Sequence, residues 1–374
     1  MDRDVVRRLA EWNTGGLPVT TLYLDCDGRR YPRRGDLVRR GEDLARRACD
    51  QIDRSERDAW LSVCRDVQRI GDFLREEFQR KGPIRGVALF ACSGAGLWEA
   101  VTASRSLRDR LVVGPRPHLV PLEALVEMAE SFCTAIVDRE KARIFLSSLG
   151  EIEEVSPILD DVPGRHDQGG WAQARLGRHI EDHVHRHLKR VADSLLRLHQ
   201  RRRYDHLVLA GPEQAVAELE RELHDYVRRT ILDRTSLPLT ASAEEVLDRA
   251  LALEMDLEDR REREAVDRVA QEAGADTGRA VAGMGPTLAA LEENRVDTLV
   301  VRDGLQATGV RCSSCGHLAL DGRRCEVCGS PTEDVPDLVE EAVEAGLRLR
   351  CRVETVRDGA VLDRSGGIGA LLRF

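Results

Sequence analysis

The sequence has little lysine, few aromatic residues and no long apolar run. Only three of its 57 basic residues are lysines, and aromatic residues make up 4% of the 374-residue chain. No apolar stretch approaches the roughly 18 residues of a membrane-spanning helix. The first residues, MDRDVVRRLAEW, contain no apolar core of a secretory signal peptide. These absences predict a cytoplasmic protein without a membrane partner.

Charge, in contrast, is abundant. Charged residues make up 33% of the chain and hydrophobic residues 42%, a balance typical of globular domains. A chain of this length is expected to form two or three domains. The formal net charge of −9 argues against a general affinity for nucleic acids, and we expect no DNA partner.

Two segments are nevertheless basic. Residues 28–47 contain eight arginines against three acids, and residues 164–203 contain ten basic residues against four acids. Basic patches on an acidic body predict docking on RNA, although solvated helix faces would give the same pattern. The predicted RNA-binding residues are Arg29, Arg30, Arg33, Arg34, Arg165, His166, Arg175, Arg178, Arg186, Lys189 and Arg190.

The periodicity of apolar residues predicts alternating strands and helices, and therefore an α/β fold class. VTTLYLD is typical of a strand, residues 36–79 of a charged helical region, and CTAIVDR with ARIFLSS of a hairpin. The prolines of LVVGPRPHLVPL indicate a boundary. We predict three α/β domains, which comprise residues 1–125, 126–268 and 269–374.

Four cysteines form two CxxCG motifs separated by nine residues. They are Cys312, Cys315, Cys325 and Cys328. Each motif places two thiolates on one turn, and four thiolates suit tetrahedral zinc in a closed structural site. Two disulfides are the alternative, which a cytosolic chain disfavours. The six other cysteines are interpreted as small buried apolar residues.

The stretch PGRHDQGGWAQAR contains the pair Gly169 and Gly170 in front of a basic helix predicted from about residue 171 to 200. It resembles the tip of the middle domain of archaeal and eukaryotic class-one peptide-release factors, which reads Pro-Lys-Lys-His-Gly-Arg-Gly-Gly-Gln. YDHLVLAG, the segment from residue 274 to 301 and the closing GGIGALLRF also resemble that family. LYLD and RGVALFAC are similar to its bacterial branch, the bacterial archaeo-eukaryotic release factors.

The resemblance implies a three-domain release-factor-like architecture whose third domain carries a four-cysteine zinc ribbon. It implies a tRNA mimic that occupies the ribosomal A site, with the glycine loop near the peptidyl-transferase centre and the basic helix along rRNA. A translational GTPase, such as EF-Tu, is the implied delivery partner. Some relatives resemble hibernation factors, and others resemble Pelota-like factors or hydrolases that rescue stalled ribosomes.

The family's catalytic glutamine falls on Trp171 here, and no stop-codon-reading motif is found in the first 125 residues. We therefore expect a non-hydrolysing hibernation or stress factor. A rescue hydrolase is the alternative, for which the candidate catalytic residues are Gln168, Gly169, Gly170, Trp171 and Gln173. A zinc-binding scaffold without a ribosomal role is a third possibility.

The histidines of the predicted basic helix also raise the question of a metal site. The candidate ligands are His179, His183, His185 and His187, since histidines four residues apart share a helix face, but HIEDH (residues 179–183) lacks the HExxH arrangement. A solvated or RNA-facing helix is the favoured interpretation.

Overall fold

The computed structural model describes residues 3–79, 84–159, 171–275, 277–356, 362 and 366–374. The fold is mixed α/β. The chain forms two compact units: Met1–Pro117 joins Ala129–Leu253, and His118–Met128 joins Glu254–Phe374. The division into three domains remains a prediction. Within the described part of the chain, no helix combines the length and the apolarity needed to cross a membrane.

The first unit begins with a four-stranded antiparallel sheet in the order β3-β2-β1-β4. Its strands are β1 (Val19–Asp25), β2 (Gly86–Cys92), β3 (Leu97–Ala103) and β4 (Arg110–Gly114). The helices of this part are α1 (Arg3–Ala10), α2 (Arg34–Arg46) and α3 (Arg57–Asp72), with short helical turns at Cys49–Gln51, Phe73–Glu77 and Ser93–Ala95. Every residue of β1 and β2 is buried, and α2 and α3 supply apolar residues to the same core.

The same unit contains a five-stranded mixed sheet in the order β7-β6-β5-β8-β9. Its strands are β5 (Ser131–Val137), β6 (Lys141–Ser148), β7 (Glu151–Leu159), β8 (His206–Ala210) and β9 (Ile231–Thr235). Its helices are α5 (Trp171–Arg202), α6 (Glu213–Glu222) and α7 (Asp225–Arg228). The long crossover through α5 makes β8 parallel to β5, whereas the predicted β5–β6 hairpin is antiparallel.

The second unit is built on a four-stranded mixed sheet in the order β10-β16-β11-β15. Its strands are β10 (Ala280–Ala282), β11 (Val296–Arg302), β15 (Arg352–Val356) and β16 (Ile368–Leu372). Its helices are α4 (Val120–Glu127), α9 (Met284–Glu292), α10 (Leu338–Arg348) and the part of α8 (Ala243–Gly274) that follows Leu253. A small separate sheet consists of β12 (Gly309–Cys312), β13 (Leu318–Ala319) and β14 (Thr332–Val335).

The predicted charged helical region, residues 36–79, is helical and consists of two helices, α2 and α3, which are separated by a turn. The backbone N–H of Ser55 donates to Asp53 Oδ1 at 2.9 Å in that turn. Short aspartate-to-backbone bonds of this type compete with helix, and the run of charged residues conceals the break.

Candidate functional site

Helix α5, which follows the glycine pair, is strongly two-sided in its described portion. Val184, Leu188, Val191 and Leu195 are at most 3% exposed and belong to the core of the five-stranded sheet. Their spacing of four, three and four residues is that of one helix face. Burial of this face fixes which side chains the other face presents to solvent.

The solvent face of α5 is cationic. Arg186, Lys189 and Arg190 are all exposed, and their contact with RNA stays a prediction. Over residues 181–203, seven arginines and lysines are exposed. Only three acids are exposed there, namely Glu181, Asp182 and Asp193. A row of this kind offers guanidinium and ammonium groups to an anionic surface.

The glycine loop itself falls largely outside the described residues. This holds for Arg165, His166, Gln168, Gly169 and Gly170. Helix α5 begins at Trp171, directly after the glycine pair, which agrees with the predicted start of the basic helix. The side chains of Trp171, Gln173, Arg175 and Arg178 also lie outside the described part.

The described histidines of α5 do not share one environment. His187 is 1% exposed, His183 is half-buried and the exposed His185 has its Nδ1 3.4 Å from Glu222 Oε1. His187 is therefore a core residue of the helix, and it is neither solvated nor on the face that could meet RNA. No histidine is part of a potential metal-binding group among the residues that the structure describes.

The arginines near the N-terminus fall into two groups. The Arg30 side chain is 12% exposed and its Nη1 lies 2.8 Å from Asp25 Oδ2, while Arg29 Nη2 lies 2.9 Å from Asp27 Oδ2. Arg33 and Arg34 are exposed instead. Two of the four N-terminal arginines that we predicted to bind RNA therefore already pair with acids at the end of β1 or just after it.

These acids explain why the chain holds arginines so close to a strand end. Asp25 and Asp27 are 3% and 2% exposed. Burial raises the pKa of Asp25 despite its bond to Arg30. Burial also opposes ionisation of Asp27, but hydrogen bonds from Arg29 and the charge of Arg85 outweigh it and lower the pKa of Asp27. The motif DCDGRR contains this signal, since acids precede the arginines directly.

The four cysteines of the two CxxCG motifs come together as predicted. Their Sγ atoms all lie within 4.8 Å of one another, with Cys312 3.4 Å from Cys328 and Cys315 3.6 Å from Cys325. A tetrahedron of sulfurs around zinc at 2.3 Å has edges of about 3.8 Å. The cluster thus has the dimensions of a zinc site, and the residues fit that metal.

The turns around the cluster favour thiolates. Gly316 and Gly329 follow the two motifs with φ of +77° and +73°, a conformation that suits glycine. The backbone N–H groups of Cys315 and Ser314 donate to Cys312 Sγ at 3.4 Å and lower its pKa.

Two of the other three thiols have pKa values shifted in opposite directions. Hydrogen bonds from Ser330 lower the pKa of Cys328 to about 6. The pKa of Cys315 is raised to about 12, because the neighbouring thiols outweigh the hydrogen bond from the His317 backbone. A bound cation would remove the repulsion that keeps this proton in place.

Outside the cluster, the interpretation of the other cysteines as small buried residues holds for four of the six. Cys26, Cys92, Cys133 and Cys351 are buried. Cys49 and Cys64 are half-buried instead, and their Sγ atoms are 2.9 Å apart. Sequence reasoning missed this pair because the two residues are 15 positions apart and belong to no spaced motif.

Comparison with known proteins places these sites in a family. Residues 117–255 match the model of bacterial archaeo-eukaryotic release factor family 10, and residues 260–374 match the model of eRF1 domain 3. The chain belongs to a release-factor-like family. The first match of this release-factor-like chain includes the glycine pair and α5, and the second includes the cysteine cluster.

Archaeal release factors are among the proteins that the release-factor-like chain resembles. It is 29% identical over 290 residues to peptide chain release factor subunit 1 of Methanocaldococcus jannaschii, a match that covers 69% of each chain. It is 25% identical over 337 residues to the Pyrococcus abyssi protein of the same name, with 79% and 80% covered. Among solved structures, Archaeoglobus fulgidus Pelota is 17% identical with a TM-score of 0.37, with 77% of this chain and 79% of that chain covered.

Proposed function

We propose that this protein is a ribosome-associated translation factor that occupies the A site as a tRNA mimic without hydrolysing peptidyl-tRNA. It would act as a hibernation or stress factor that does not read stop codons. Its two matched family models and its relatives, which are named peptide chain release factors, support the ribosome as the partner.

The observation that carries the proposal is Trp171, which directly follows Gly169 and Gly170. The family's catalytic glutamine stands at this position. A glutamine amide both donates and accepts hydrogen bonds, whereas an indole offers one N–H donor and no acceptor. Trp171 is therefore poorly suited to orient a water molecule for attack on an ester, and its aromatic face suits stacking on an RNA base.

The cationic face of α5 supports an RNA partner for the same part of the chain. Arg186, Lys189 and Arg190 would contact phosphates of rRNA behind the tip. At the N-terminal sheet, Arg33 and Arg34 are better placed for RNA than Arg29 and Arg30, which pair with buried acids.

The second unit would contribute a structural zinc ribbon and a surface for a translational GTPase such as EF-Tu. Cys312, Cys315, Cys325 and Cys328 would hold the zinc and leave no position for a catalytic water. The metal would stabilise the local fold of the ribbon and take no part in a reaction.

A second candidate function is rescue of stalled ribosomes by peptidyl-tRNA hydrolysis. The names of the relatives favour it, since a release factor hydrolyses that ester. In this case Gln168 or Gln173 would have to act together with the backbone at Gly170 and Trp171.

The two candidates are separated by adding the protein to ribosomes that carry labelled peptidyl-tRNA. We expect co-sedimentation with the ribosomes, weakened by Trp171→Ala and by Gly169→Ala with Gly170→Ala, and no release of labelled peptide. Release by the wild type that is lost in Gln173→Ala would favour the hydrolase. Absence of ribosome binding at any salt concentration, with and without EF-Tu, would contradict both and leave the zinc-binding scaffold.

A further inference from the structure

Two cysteines outside the zinc-ribbon cluster face each other in the N-terminal part of the chain. Cys49 opens the short helical turn after α2, and Cys64 lies in the middle of α3. Their Sγ atoms are 2.9 Å apart. Both residues are half-buried, so a small reagent can reach them, whereas the other four cysteines outside the cluster are buried.

The surrounding fold fixes the positions of the two sulfur atoms relative to each other. Ser62, Val63 and Asp66 are buried on the core side of α3, and this fixes the rotation of the helix that carries Cys64. The Asp53–Ser55 turn ends the connection between Cys49 and α3. Because a disulfide requires about 2.05 Å between the sulfurs, closure needs a movement of less than about 1 Å.

In the reduced pair, the thiol of Cys49 reacts slowly with oxidants. Burial, the hydrogen bond with Cys64 and the charges of Cys64, Asp50 and Asp66 together raise the pKa of Cys49 to about 12. The attacking species in thiol chemistry is the thiolate, so Cys49 reacts slowly when no oxidised partner is beside it.

We propose that Cys49 and Cys64 are a reversible dithiol switch that a peroxide closes to a disulfide. In the first step the Cys64 sulfur attacks one peroxide oxygen, the O–O bond breaks, and Cys64 becomes a sulfenic acid while hydroxide leaves and takes up a proton as water. In the second step the Cys49 sulfur attacks the Cys64 sulfur, the S–O bond breaks, and a second water leaves. Two thiols are oxidised by two electrons, and one peroxide is reduced to two waters.

The disulfide would close the loop from residue 49 to residue 64 and tie the turn to α3. Cross-links that close loops of this length stabilise mainly by restricting the unfolded chain. The oxidised form should therefore resist thermal unfolding better than the reduced form. A thiol reagent reverses the reaction by exchange. This inference does not depend on the proposed ribosomal function.

Peptide mapping of the full-length protein tests the proposal directly. The protein is treated with hydrogen peroxide, free thiols are alkylated, and trypsin digestion is followed by mass spectrometry without reduction. We expect peptide 48–54, ACDQIDR, to be linked to peptide 58–65, DAWLSVCR, with the loss of two hydrogen atoms. Dithiothreitol should return both peptides to their free, alkylatable forms.

Variants provide the controls. Cys64→Ser and Cys49→Ser should each abolish the linked peptide and the oxidant-dependent rise in melting temperature. Cys351→Ser, which changes a buried cysteine of the second unit, should leave both intact. Recovery of both peptides as free thiols at peroxide concentrations that oxidise other cysteines, or linkage of Cys49 or Cys64 to a third cysteine, would overturn the proposal.

Discussion

At the scale of single residues, the arginines after β1 differ in what they do although they are neighbours in sequence. Arg30 is held by the buried carboxylate of Asp25, whereas Arg33 is exposed. Composition cannot separate them, because both belong to the same basic run. The difference depends on which side chain points back to the end of β1.

We therefore expect Arg30→Ala and Arg33→Ala to affect different properties. Arg30→Ala leaves a buried carboxylate without its charged partner and should lower the free energy of unfolding by about 2 kcal/mol. Arg33→Ala should change stability by less than about 0.5 kcal/mol and should weaken salt-sensitive ribosome binding. Urea unfolding and co-sedimentation of both variants check this. Equal stability of the two variants would contradict the assignment.

Asp27 should make the stability of the folded protein depend on pH, and the sign of this dependence follows from the surroundings of its carboxylate. Its folded-state pKa is lowered by Arg29 and Arg85, so its stabilising contribution is present above the unfolded value of about 4 and is lost as pH falls through the folded value. Asp27→Asn should reduce stability at pH 7 by about 3 kcal/mol. Below about pH 4, the variant should lose less stability with falling pH than the wild type does.

Urea unfolding at a series of pH values measures this effect. A matched control is Asp36→Asn, which changes an acid paired with Arg39 at 3.0 Å on the surface. Exposed pairs contribute little, so the control should stay within about 1 kcal/mol of the wild type at every pH. A pH profile of Asp27→Asn parallel to that of the wild type would show that Asp27 is not responsible.

At the scale of elements, the sequence predicts those strands, helices and motifs that have a strong local pattern. The predicted strand VTTLYLD coincides with β1, and the basic helix, predicted to run from about residue 171 to 200, is α5. The CxxCG motifs are equally local, and the cluster was predictable residue by residue. Strand β7 was not predicted, since it contains Pro157 and several acids, which only an edge strand tolerates.

The sequence does not show which side chains contact each other in the folded protein. The burial of His187 and the contact between Cys49 and Cys64 depend on tertiary packing. Neither follows from spacing, because Cys49 and Cys64 come from different elements and His187 lies on the interior face of α5.

Two lysines of the chain form a matched pair for testing the face of α5. Lys189 is exposed on α5 and Lys141 is exposed at the start of β6. Lys189→Ala should weaken ribosome binding and reduce the slope of log affinity against log salt by about 1, which corresponds to one lost phosphate contact. Lys141→Ala should leave both unchanged. Equal effects of the two changes would mean that binding responds to net charge and not to this face.

The cysteine cluster predicts that loss of the metal would affect the folding of the ribbon alone. If the cluster binds zinc as proposed, removal of the metal with a chelator, or Cys315→Ser, should unfold the β12–β14 sheet, because it consists of three short strands with two to four residues each. The core around β11 and α10 has its own apolar contacts and should remain. Hydrogen exchange measured with and without metal checks this. Equal loss of protection in β11 would show that the zinc supports the whole unit.

At the scale of the whole molecule, the net charge of −9 opposes the proposed partner. Distant electrostatic forces would therefore repel the protein from rRNA, and attraction would begin only where the basic face of α5 approaches. Such an arrangement selects orientation, since other approaches bring like charges together. It also explains why delivery by a translational GTPase would help a chain that is poorly steered by its overall charge.

Occupancy of the A site makes a prediction for the entire chain. Ribosomes preincubated with the protein should bind less labelled tRNA in the A site, with the P-site tRNA unaffected, because a tRNA mimic and a tRNA cannot share one site. Trp171→Ala and Lys189→Ala should each compete less well, in proportion to their loss of affinity, whereas Lys141→Ala should compete like the wild type. Filter binding with tRNA labelled separately for each site measures both occupancies. Stable co-sedimentation together with undiminished A-site binding would place the protein elsewhere on the ribosome and would refute tRNA mimicry while leaving the RNA-binding face intact.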